Sequence, residues 1–485
     1  MPSDLNRIDV DGVSISPHHY IDGQRVASPH TFEDRSPLDW SHKLADIARG
    51  DNTAADLAVS AAAEAFLDWS ELGAVGRAQY MNRLAELIDQ KVADIARIEC
   101  LDMAMLQESL ELRVIPRGAR NFRAYAELAL SHEERVWSSN NTDNRILRMP
   151  AGPAVVITPW NAPAALALGS LTSALYTGNT VILKPSPYTP LTTLKMGELA
   201  QTIFPPGVIN VLAAGNELGQ RLTEHAGIDK ISFTGSVATG KKVMSSSADT
   251  LKRVTLELGG NDPAIVLDDA DPKAIAKQMF FACFVNSGQV CMAIKRIYAH
   301  ESVYDELCDA LVEEACNAKV GNGLEPDTKL GPLQNKMQFD KVADILSDTK
   351  TSGASFLTGG EIPDERGYFI PPTLVTDIDD NSRLVAEEQF GPIVPILKYA
   401  DTEEALKRAN DTCYGLSGSV WTSDLERGKA LAERMEVGTA WVNQHRATSA
   451  YVPFGGAKQS GLGRQYSILG LKGYMEPQVV SVSKV

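Results

Sequence analysis

The 485-residue sequence lacks the features by which secreted and membrane-inserted proteins are recognised. Its first residues, MPSDLNRIDVDGV, carry acids early and contain no apolar run, which argues against a secretory signal or an Arg-rich organelle leader. The most apolar stretch, residues 151–178, includes an asparagine, three prolines and several hydroxyl side chains, so it predicts buried strand and helix instead of a membrane span. Six cysteines are too few for a disulfide framework in so long a chain, and we expect a cytoplasmic protein.

An excess of positive charge is also missing. The chain has 46 basic and 62 acidic residues, which gives a formal net charge of −16. Such a surface repels nucleic acid and anionic lipid, so we expect neither nucleic acid nor a membrane as a partner. The apolar share of 44% and the charged share of 22% are those of a globular protein, and the length predicts two large domains.

Short β-rich segments alternate with helical segments from about residue 150 onward. This alternation predicts right-handed crossovers and parallel sheets, which is an α/β fold. One series of strands ends near residues 257–260, and a second series begins with PAIVL at 263–267. The first series comprises the predicted strands 154–158, 180–184, 208–212, 230–233 and 253–258.

Five of the six cysteines lie in helical or strand-like surroundings, where a small buried hydrophobic residue is the ordinary interpretation. These are Cys100, Cys283, Cys308, Cys316 and Cys413, and no histidine pairing near them predicts a metal site. Cys291 differs because it belongs to a glycine-containing loop, NSGQVCMAIKR. Backbone N–H groups in such a loop can lower the pKa of a thiol and bind an oxyanion. A loop cysteine is still more often structural, so Cys291 needs the support of other motifs.

Three further motifs place polar side chains beside predicted strands. VITPWN puts Asn161 directly after a strand, where open α/β sheets bind ligands. LELGGNDP ends a strand with Glu257 before a pair of glycines, and EEQFGPIVP carries Glu388 ahead of an aromatic residue and a turn. Each motif alone also fits a helix cap, a turn or a solvated acid.

Together, in this order and at this spacing, these motifs resemble the aldehyde dehydrogenase superfamily. The resemblance extends from about residue 20 to the end of the chain. It includes further motifs: FTGSVATG (233–240), KPSP (184–187), PFGGAKQSGLGR (453–464), PPT (371–373) and GNG…GPL (321–333).

The resemblance implies oxidation of an aldehyde to its acid through a covalent cysteine thioester. Cys291 would be the nucleophile, and the amide of Asn161 with the Cys291 backbone N–H would hold the oxyanion. Glu257 would act as general base towards water, a task that suits a carboxyl group whose pKa partial burial raises towards neutrality.

The resemblance also implies a nicotinamide cofactor, NAD or NADP, although the chain lacks the fingerprint GxGxxG in the expected place. A looser turn opens a helix whose N-terminal N–H groups and dipole favour the pyrophosphate. Glu388 would accept hydrogen bonds from the nicotinamide ribose. The matching positions are Ile157, Trp160, Lys184, Gly235, Ser236, Gly240, Glu388 and Phe390.

One departure from the family pattern bears on the choice of cofactor. Many NAD-preferring members have a glutamate three residues after the lysine that Lys184 matches, and this chain has Pro187 there. The change removes an acceptor for the ribose hydroxyls and also a charge that repels a 2′-phosphate. Pro187 offers no positive contact of its own, so the sequence leaves the preference between NAD and NADP open.

The positions that match pocket walls in the family leave the small-molecule aldehyde open. They are Ala162, Leu166, Gly169, Val285, Val290, Met292, Gln444, His445, Arg446, Tyr451 and Phe454. Ala162 and Gly169 are small where larger or aromatic side chains are common, which implies a bulky or aromatic aldehyde. Arg446 and His445 imply instead a carboxylated semialdehyde, and a solvated rim position explains Arg446 equally well.

Three other functions compete with this interpretation. CoA-acylating members of the family often lack the general base, which is present here as Glu257. A non-catalytic structural relative would have no need of Cys291, Asn161, Glu257 and Glu388 together. A cysteine hydrolase requires a histidine base, and His445 is its sole loop candidate.

The resemblance predicts the domain organisation as well: a Rossmann-like cofactor domain, a second α/β catalytic domain and a small β oligomerisation hairpin and tail. The hairpin and the strand-like tail PQVVSVSKV would join subunits into a homodimer or a homotetramer, with the tail pairing with a neighbour's edge. The predicted bounds are 1–131, 151–256 and 456–474 for the cofactor domain, 257–455 for the catalytic domain, and 132–150 and 475–485 for the oligomerisation segments.

Overall fold

The computed structural model describes residues 7–130 and 136–484. Residues 7–130 form short antiparallel strand pairs followed by a run of helices. The strands are β1 (Ile8–Val10), β2 (Val13–Ile15), β3 (His19–Ile21), β4 (Gln24–Val26), β5 (Thr31–Arg35) and β6 (Lys43–Ala48). The helices are α1 (Asn52–Glu71), α2 (Gly73–Gln90), α3 (Val92–Met103), α4 (Gln107–Ser109) and, after a π-helical turn (Leu110–Val114), α5 (Ile115–Leu130).

Residues 136–260 alternate strands and helices, and each predicted strand of this series lies within one residue of its observed bounds. The strands are β7 (Val136–Ser138), β8 (Thr142–Pro150), β9 (Ala154–Ile157), β10 (Val181–Lys184), β11 (Ile209–Val211), β12 (Lys230–Thr234) and β13 (Arg253–Glu257). The helices are α6 (Pro163–Tyr176), α7 (Leu191–Gln201), α8 (Asn216–Glu224) and α9 (Val237–Ser246).

The rest of the described chain continues the alternation. Its strands are β14 (Asp262–Val266), β15 (Ile294–His300), β16 (Ser355–Thr358), β17 (Thr373–Thr376), β18 (Ile393–Tyr399), β19 (Ser417–Trp421), β20 (Thr439–Val442), β21 (Gly461–Leu462) and β22 (Met475–Ser483). Its helices are α10 (Pro272–Phe284), α11 (Tyr304–Cys316), α12 (Lys336–Thr351), α13 (Arg383–Ala386), α14 (Thr402–Asn410), α15 (Leu425–Ala432) and α16 (Ser467–Lys472). Within the described ranges, none of the helices combines the length and apolarity needed to span a bilayer.

The first large sheet has the strand order β21-β13-β12-β9-β10-β11-β3-β4. Its five central strands, β13 to β11 in this order, pair in parallel. Both of its faces are buried: Val156 and Leu183 belong to one apolar cluster, and Val155 and Ile182 belong to another on the opposite face. Chain order reverses between β9 and β12, so the carboxyl ends of these two strands form the crevice in which such sheets bind ligands.

The second large sheet has the order β16-β17-β18-β15-β14-β19-β20 and is parallel except for the pair β16–β17. The chain passes from one sheet to the other between Glu257, which ends β13, and Asp262, which begins β14. The two parallel sheets confirm the predicted α/β class with a Rossmann-like domain. The loops that precede β15 and β18 contain Cys291 and Glu388.

A third sheet, of order β22-β8-β7, lies outside these two. Strand β22 pairs antiparallel with β8 of the same chain over its whole length, from Met475 opposite Pro150 to Ser483 opposite Thr142. One edge of this tail is therefore occupied by β8 of the same chain, and pairing of its other edge with a neighbour stays a prediction. Residues 132–135 and 485 of the predicted oligomerisation segments lie outside the described residues.

Candidate active site

A cavity of about 550 Å³ lies where the first sheet meets the loops that lead into the second. The first sheet contributes the residues that follow β9, β12 and β13, at the carboxyl ends of these strands. The second contributes the loops before β15 and β18. The motifs that the sequence singles out therefore come together in space, although they are spread over more than 200 residues of chain.

The loop that carries Cys291 has an unusual backbone. Asn286, Ser287 and Gly288 have φ angles of 54°, 53° and 74°, in the left-handed region that side chains disfavour. A Cβ on Gly288 would lie 2.3 Å from the carbonyl oxygen of Gly391, so only glycine fits there. The hydroxyl of Ser287 donates to the carbonyl oxygen of Gly331 at 2.6 Å, which ties the loop to the neighbouring chain.

Two hydrogen bonds join this loop to Asn161. The side-chain amide of Asn161 donates to the carbonyl oxygen of Gln289 at 2.8 Å, and the side-chain amide of Asn286 donates to the carbonyl oxygen of Asn161 at 2.9 Å. Asn161 is 6% exposed, so both bonds are sheltered from water. A carboxamide has two N–H groups, and the bond to Gln289 uses one of them. The second N–H group is chemically able to donate to an anion in the cavity.

Lys295 binds the backbone of the loop that carries Cys291. Its ammonium group donates to the carbonyl oxygens of Cys291 at 2.6 Å and Val290 at 3.0 Å. It also lies 3.7 Å from Oε1 of Glu388, and its side chain is 3% exposed. A buried cation with these partners fixes the position of Cys291 relative to Glu388.

The pKa of the Cys291 thiol is raised to about 12, chiefly by burial, with the charges of Glu388 and Glu257 adding to the effect and Lys295 opposing it. The sequence-based expectation of a lowered thiol pKa is wrong for the protein in this state. Loop N–H groups and one ammonium do not offset the cost of burying a thiolate near two carboxyl groups.

The other cysteines divide into two sets. Cys100, Cys283 and Cys308 are buried, as small hydrophobic residues are expected to be. Cys316 and Cys413 are exposed, so the same interpretation is wrong for them: one ends α11, and the other lies in the turn after α14. Within the part of the chain that the structure describes, no group of three cysteine, histidine or acidic side chains is placed to hold a metal ion.

Glu257 occupies the last position of β13 and is 5% exposed. Burial raises its pKa well above the ordinary value, and the charge of Arg464 opposes this effect. Among the described residues, neither carboxyl oxygen has a hydrogen-bond partner. A Cβ on Gly455 would lie 2.8 Å from Oε1, so the glycine-rich PFGGAKQSGLGR motif makes room for this side chain. An unpaired, buried carboxyl group of this kind is suited to general-base chemistry.

Glu388 lines the cavity near Lys295 and is held there by a backbone hydrogen bond. Its Oε1 accepts a hydrogen bond from the backbone N–H of Gly260 at 3.0 Å. A Cβ on Gly259 would lie 2.2 Å from Oε2, which explains the glycine pair in LELGGNDP. Phe390 packs edge-on against Trp160, with ring centroids 5.4 Å apart and planes at 88°. All of these residues except Gly260 line the cavity.

The turn after β12 contributes Gly235 and Ser236 to the cavity wall. Ser236 caps α9, because its hydroxyl accepts a hydrogen bond from the backbone N–H of Thr239 at 3.2 Å. Gly240, in the first turn of α9, does not line the cavity; a Cβ there would lie 2.6 Å from a methyl group of Leu258. The glycine lets α9 approach the sheet closely, and the helix presents its N-terminus to the cleft.

Ile157 and Lys184 lie beside the N-terminal part of α8, away from the cavity wall. A Cβ on Gly219 would lie 3.6 Å from Cε of Lys184 and 4.0 Å from Cδ1 of Ile157. The Lys184 ammonium donates to the carbonyl oxygen of Ala214 at 2.9 Å, and burial lowers its pKa to about 8. Both residues therefore lie at the carboxyl ends of strands of the first sheet, outside the wall of the cavity that contains Cys291.

Some of the predicted substrate positions line the cavity, and others do not. Seven of them line the cavity: Ala162, Leu166, Val285, Val290, Met292, His445 and Arg446. Gly169 does not, and a Cβ there would lie 3.6 Å from the hydroxyl of Tyr466. Phe454 packs in the apolar cluster that also contacts Cys291. Gln444 and Tyr451 are exposed, and the Tyr451 hydroxyl donates to Glu127 at 2.9 Å.

His445 is not suited to bind a carboxylate as a cation. Its Nε2 lies 3.1 Å from the carbonyl oxygen of Met292 and donates to it, and the imidazole is buried. Burial is the main cause that lowers the pKa of His445 to about 3, and the charge of Arg446 adds to it. Burial therefore disfavours a charged imidazole, and recognition of a substrate carboxylate by His445 stays a prediction.

Several residues that line the cavity are not predicted from the sequence motifs. They are Arg113, Arg117, Arg120, Phe281, Lys341 and Tyr466, among others. The three arginines follow the helical spacing i, i+4 and i+7 in LRVIPRGAR, which places them on one helix face. That spacing was available as a signal, although nothing in it indicates that the face is turned towards Cys291.

The comparisons with known proteins agree with this geometry. The aldehyde dehydrogenase family matches residues 25–480. An aldehyde dehydrogenase of a Fusarium species is 38% identical over 470 residues, which cover 96% of this chain and 99% of the relative. The solved structure of an aldehyde dehydrogenase from Bacillus cereus in complex with NAD⁺ has a TM-score of 0.94 and 36% identity, and the match covers 96% of each chain.

A betaine aldehyde dehydrogenase from Staphylococcus aureus, solved in complex with NAD⁺, has a TM-score of 0.93 and 33% identity over 96% of this chain and 95% of that one. The chain belongs to the aldehyde dehydrogenase family. The resemblance stated from the sequence motifs is thereby confirmed, and the protein is an oxidoreductase that acts on aldehydes.

The raised pKa of Cys291 makes a prediction for the protein without cofactor. Alkylation by iodoacetamide requires the thiolate, so its rate at Cys291 should rise continuously up to about pH 10, without a plateau at neutral pH. Peptide mass spectrometry separates Cys291 from the exposed Cys316 and Cys413, which serve as internal controls. A rate at Cys291 that levels off below about pH 8 would contradict the assigned direction of the shift.

Proposed function

We propose that this protein oxidises an aldehyde to the corresponding carboxylic acid, with NAD⁺ or NADP⁺ as cofactor and Cys291 as covalent nucleophile. The observation that carries the proposal is the meeting of three groups in one cavity: the thiol of Cys291, the amide of Asn161 and the unpaired carboxyl group of Glu257. Thioester chemistry at an aldehyde carbon needs a nucleophile, an oxyanion donor and a base, and these residues supply one of each.

The first step is attack of the Cys291 sulfur on the aldehyde carbon. The thiol must lose its proton, which passes to solvent water, so that the unpaired carboxyl group of Glu257 stays available as the base of the second half of the reaction. The carbonyl oxygen becomes an oxyanion, which the free N–H of Asn161 and the backbone N–H of Cys291 stabilise. Each donor of this kind contributes roughly 3–4 kcal/mol to transition-state stability.

The second half of the reaction releases the acid. With NAD(P)⁺ bound as hydride acceptor, loss of hydride from the tetrahedral thiohemiacetal would leave a thioester on Cys291. Glu257, once ionised, takes a proton from water, and the resulting hydroxide attacks the thioester carbon and expels the thiolate. The buried position of Glu257 at the end of β13 favours this role, because no protein donor competes for its oxygens within the described residues. Release as acyl-CoA remains the alternative outcome at this step.

The cleft has the groups that a nicotinamide dinucleotide requires. The capped N-terminus of α9, behind Gly235 and Ser236, fits a pyrophosphate, and the carboxylate of Glu388 fits the hydroxyls of a ribose. Trp160 and Phe390 supply apolar surface beside it. When bound, NAD(P)⁺ supplies the hydride acceptor. The NAD⁺ complexes of the Bacillus cereus and Staphylococcus aureus relatives support this assignment.

Product analysis tests the proposal directly. The purified protein is incubated with an aldehyde panel and with NAD⁺ or NADP⁺, in the presence and absence of CoA. We expect reduced cofactor and free carboxylic acid in equal amounts, independent of CoA, and no activity for Cys291→Ala. Accumulation of acyl-CoA without free acid would reject hydrolysis, and dehydrogenation by Cys291→Ala would reject the nucleophile.

Pro187 provides a test of cofactor choice. Pro187→Glu should increase the ratio of kcat/KM for NAD⁺ to that for NADP⁺ by about tenfold or more, because the new carboxylate accepts ribose hydroxyls and repels a 2′-phosphate. Pro187→Gln is the matched control, since it removes the proline without adding charge and should change the ratio less. An unchanged ratio in Pro187→Glu would remove this position from the account of cofactor preference.

We also propose that the protein assembles as a homodimer or homotetramer through the third sheet. The faces of β7 and β22 leave apolar side chains in solvent: Val136 is 64% exposed, Val479 is 59% and Val482 is 58%. The outer edge of β22 lies at the end of the strand order β22-β8-β7. A protected edge and a covered apolar face are expected in solution. Light scattering that returns the 52.4-kDa mass of a single chain would contradict this assembly.

A further inference from the structure

Four arginine side chains line the cavity that contains Cys291: Arg113, Arg117, Arg120 and Arg446. Across residues 7–130 and 136–484, none of them forms an ion pair with an acidic side chain. The cavity has two carboxyl groups, those of Glu257 and Glu388, and the proposed chemistry uses both. These four guanidinium groups therefore bring positive charge to the cavity wall of an acidic protein, and among the described residues no acidic side chain pairs with them.

Arg446 is the most constrained of the four. It has a φ angle of 64°, in the left-handed region where residues other than glycine are strained. Its side chain is half-buried, and its Nε is buried with no hydrogen-bond partner within the described chain. The guanidinium carbon lies 5.4 Å from the ring centroid of Phe281. A donor that is held in this way and left unpaired is expected to serve a ligand.

Arg113 and Arg117 approach Arg446 from the helix opposite. The guanidinium carbon of Arg113 lies 5.8 Å from the centroid of the same Phe281 ring, so two cations lie next to one aromatic side chain. Arg117 is half-buried, and its Nη1 makes a long bond of 3.4 Å to the hydroxyl of Thr448, two residues beyond Arg446. Burial lowers the pKa of Arg446 to about 10, and the charges of Arg117 and Arg113 contribute to this.

A purely structural role does not account for this arrangement. A cation–π contact stabilises one guanidinium group but satisfies none of its N–H donors in the ring plane. Bringing a second and a third guanidinium group close to it is unfavourable, because like charges repel in a partly desolvated wall. An anion bound between them would add attractive interactions that offset this repulsion. Arginine is the side chain that binds a planar carboxylate through two parallel hydrogen bonds.

We propose that Arg446 and Arg117, with Arg113 at the cavity entrance, bind the carboxylate of the substrate, so that the preferred substrate is an aldehyde that carries a carboxylic acid at its far end. This inference rests on the proposed function, since it places the aldehyde carbon at Cys291. It selects the carboxylated substrate over the neutral aromatic one that Ala162 and Gly169 alone suggest.

Tyr466 lines the same cavity as the arginine side chains and Cys291. Burial raises the pKa of its hydroxyl, Arg117 lowers it, and Glu257 and Cys291 raise it further. The tyrosine is therefore in electrostatic reach of both the arginine wall and the reacting groups. With a volume of about 550 Å³, the cavity has room for several carbons or a ring between the carboxylate and the aldehyde.

The test compares aldehydes of the same shape that differ in charge. One pair is 4-carboxybenzaldehyde and 4-carbamoylbenzaldehyde, and an aliphatic pair is adipic semialdehyde and its methyl ester. We expect the carboxylate of at least one pair to have a kcat/KM more than tenfold above its neutral partner. Arg446→Gln should lower this ratio by about 10- to 100-fold, the usual range for a lost bond to a charged group, and Arg117→Gln should lower it less.

Arg123→Gln is the matched control, since it removes the same charge from the same helix. Arg123 pairs with Asp89 on the surface and lies outside the cavity. The ratio of kcat/KM for the carboxylate to kcat/KM for the neutral aldehyde should therefore be the same in Arg123→Gln as in the unaltered protein. Equal rates for both members of both pairs, or an Arg446→Gln ratio that does not fall, would overturn the inference.

A binding measurement separates this inference from the proposed function. Terephthalate, the product expected from 4-carboxybenzaldehyde, is titrated calorimetrically into Cys291→Ala, which carries out no chemistry. Binding that Arg446→Gln in the same background abolishes would support the arginine site even if no aldehyde were oxidised. No difference between the two variants would overturn the site, while aldehyde oxidation by the unaltered protein would leave the proposed function intact.

Discussion

The hydrogen bonds between Asn161 and the nucleophile loop are the constraint on which the rest of the site depends. Asn161 follows β9 of the first sheet, and Gln289 and Asn286 precede β15 of the second, so these two bonds join the halves of the molecule at the reacting centre. Lys295 secures the other side of the loop through the carbonyl oxygen of Cys291. The thiol is consequently held by contacts to its neighbours' backbone, and its own side chain is left free to react.

Burial of the groups in this cavity sets the direction of their pKa shifts. Burial raises the pKa of both Cys291 and Glu257, so the cavity disfavours negative charge on the thiol and on the carboxyl group. A neutral thiol is protected from oxidation and alkylation, and it becomes a nucleophile when a base accepts its proton. The arginine wall has the opposite character, since Arg446 keeps its charge at neutral pH despite its burial. One cavity thus combines a neutral reacting end with a cationic recognition end.

The fold and the candidate reacting groups could be predicted because each has a recognisable local sequence pattern. Strands such as β10 and β12 are short aliphatic runs between helical segments, and Cys291, Asn161 and Glu257 each stand in a recognisable motif. The pKa of Cys291 could not be predicted, because it depends first on burial and then on charged groups that the fold brings from positions 295, 388 and 257. Arg117 was missed for a related reason: its helical spacing is visible, but the direction of that helix face is set by packing. The tail pairing with β8 likewise depends on a contact far away in sequence.

The central claim is that Cys291 carries the acyl group and that Glu257 removes it. The most direct measurement is the intact mass of Glu257→Gln after brief incubation with 4-carboxybenzaldehyde and NAD⁺ or NADP⁺. The account predicts that the mass increases by one acyl group, that peptide analysis places the group on Cys291, and that the increase disappears when Cys291→Ala is added to the same background. Reduced cofactor without a covalent adduct, or an adduct on a different residue, would contradict it.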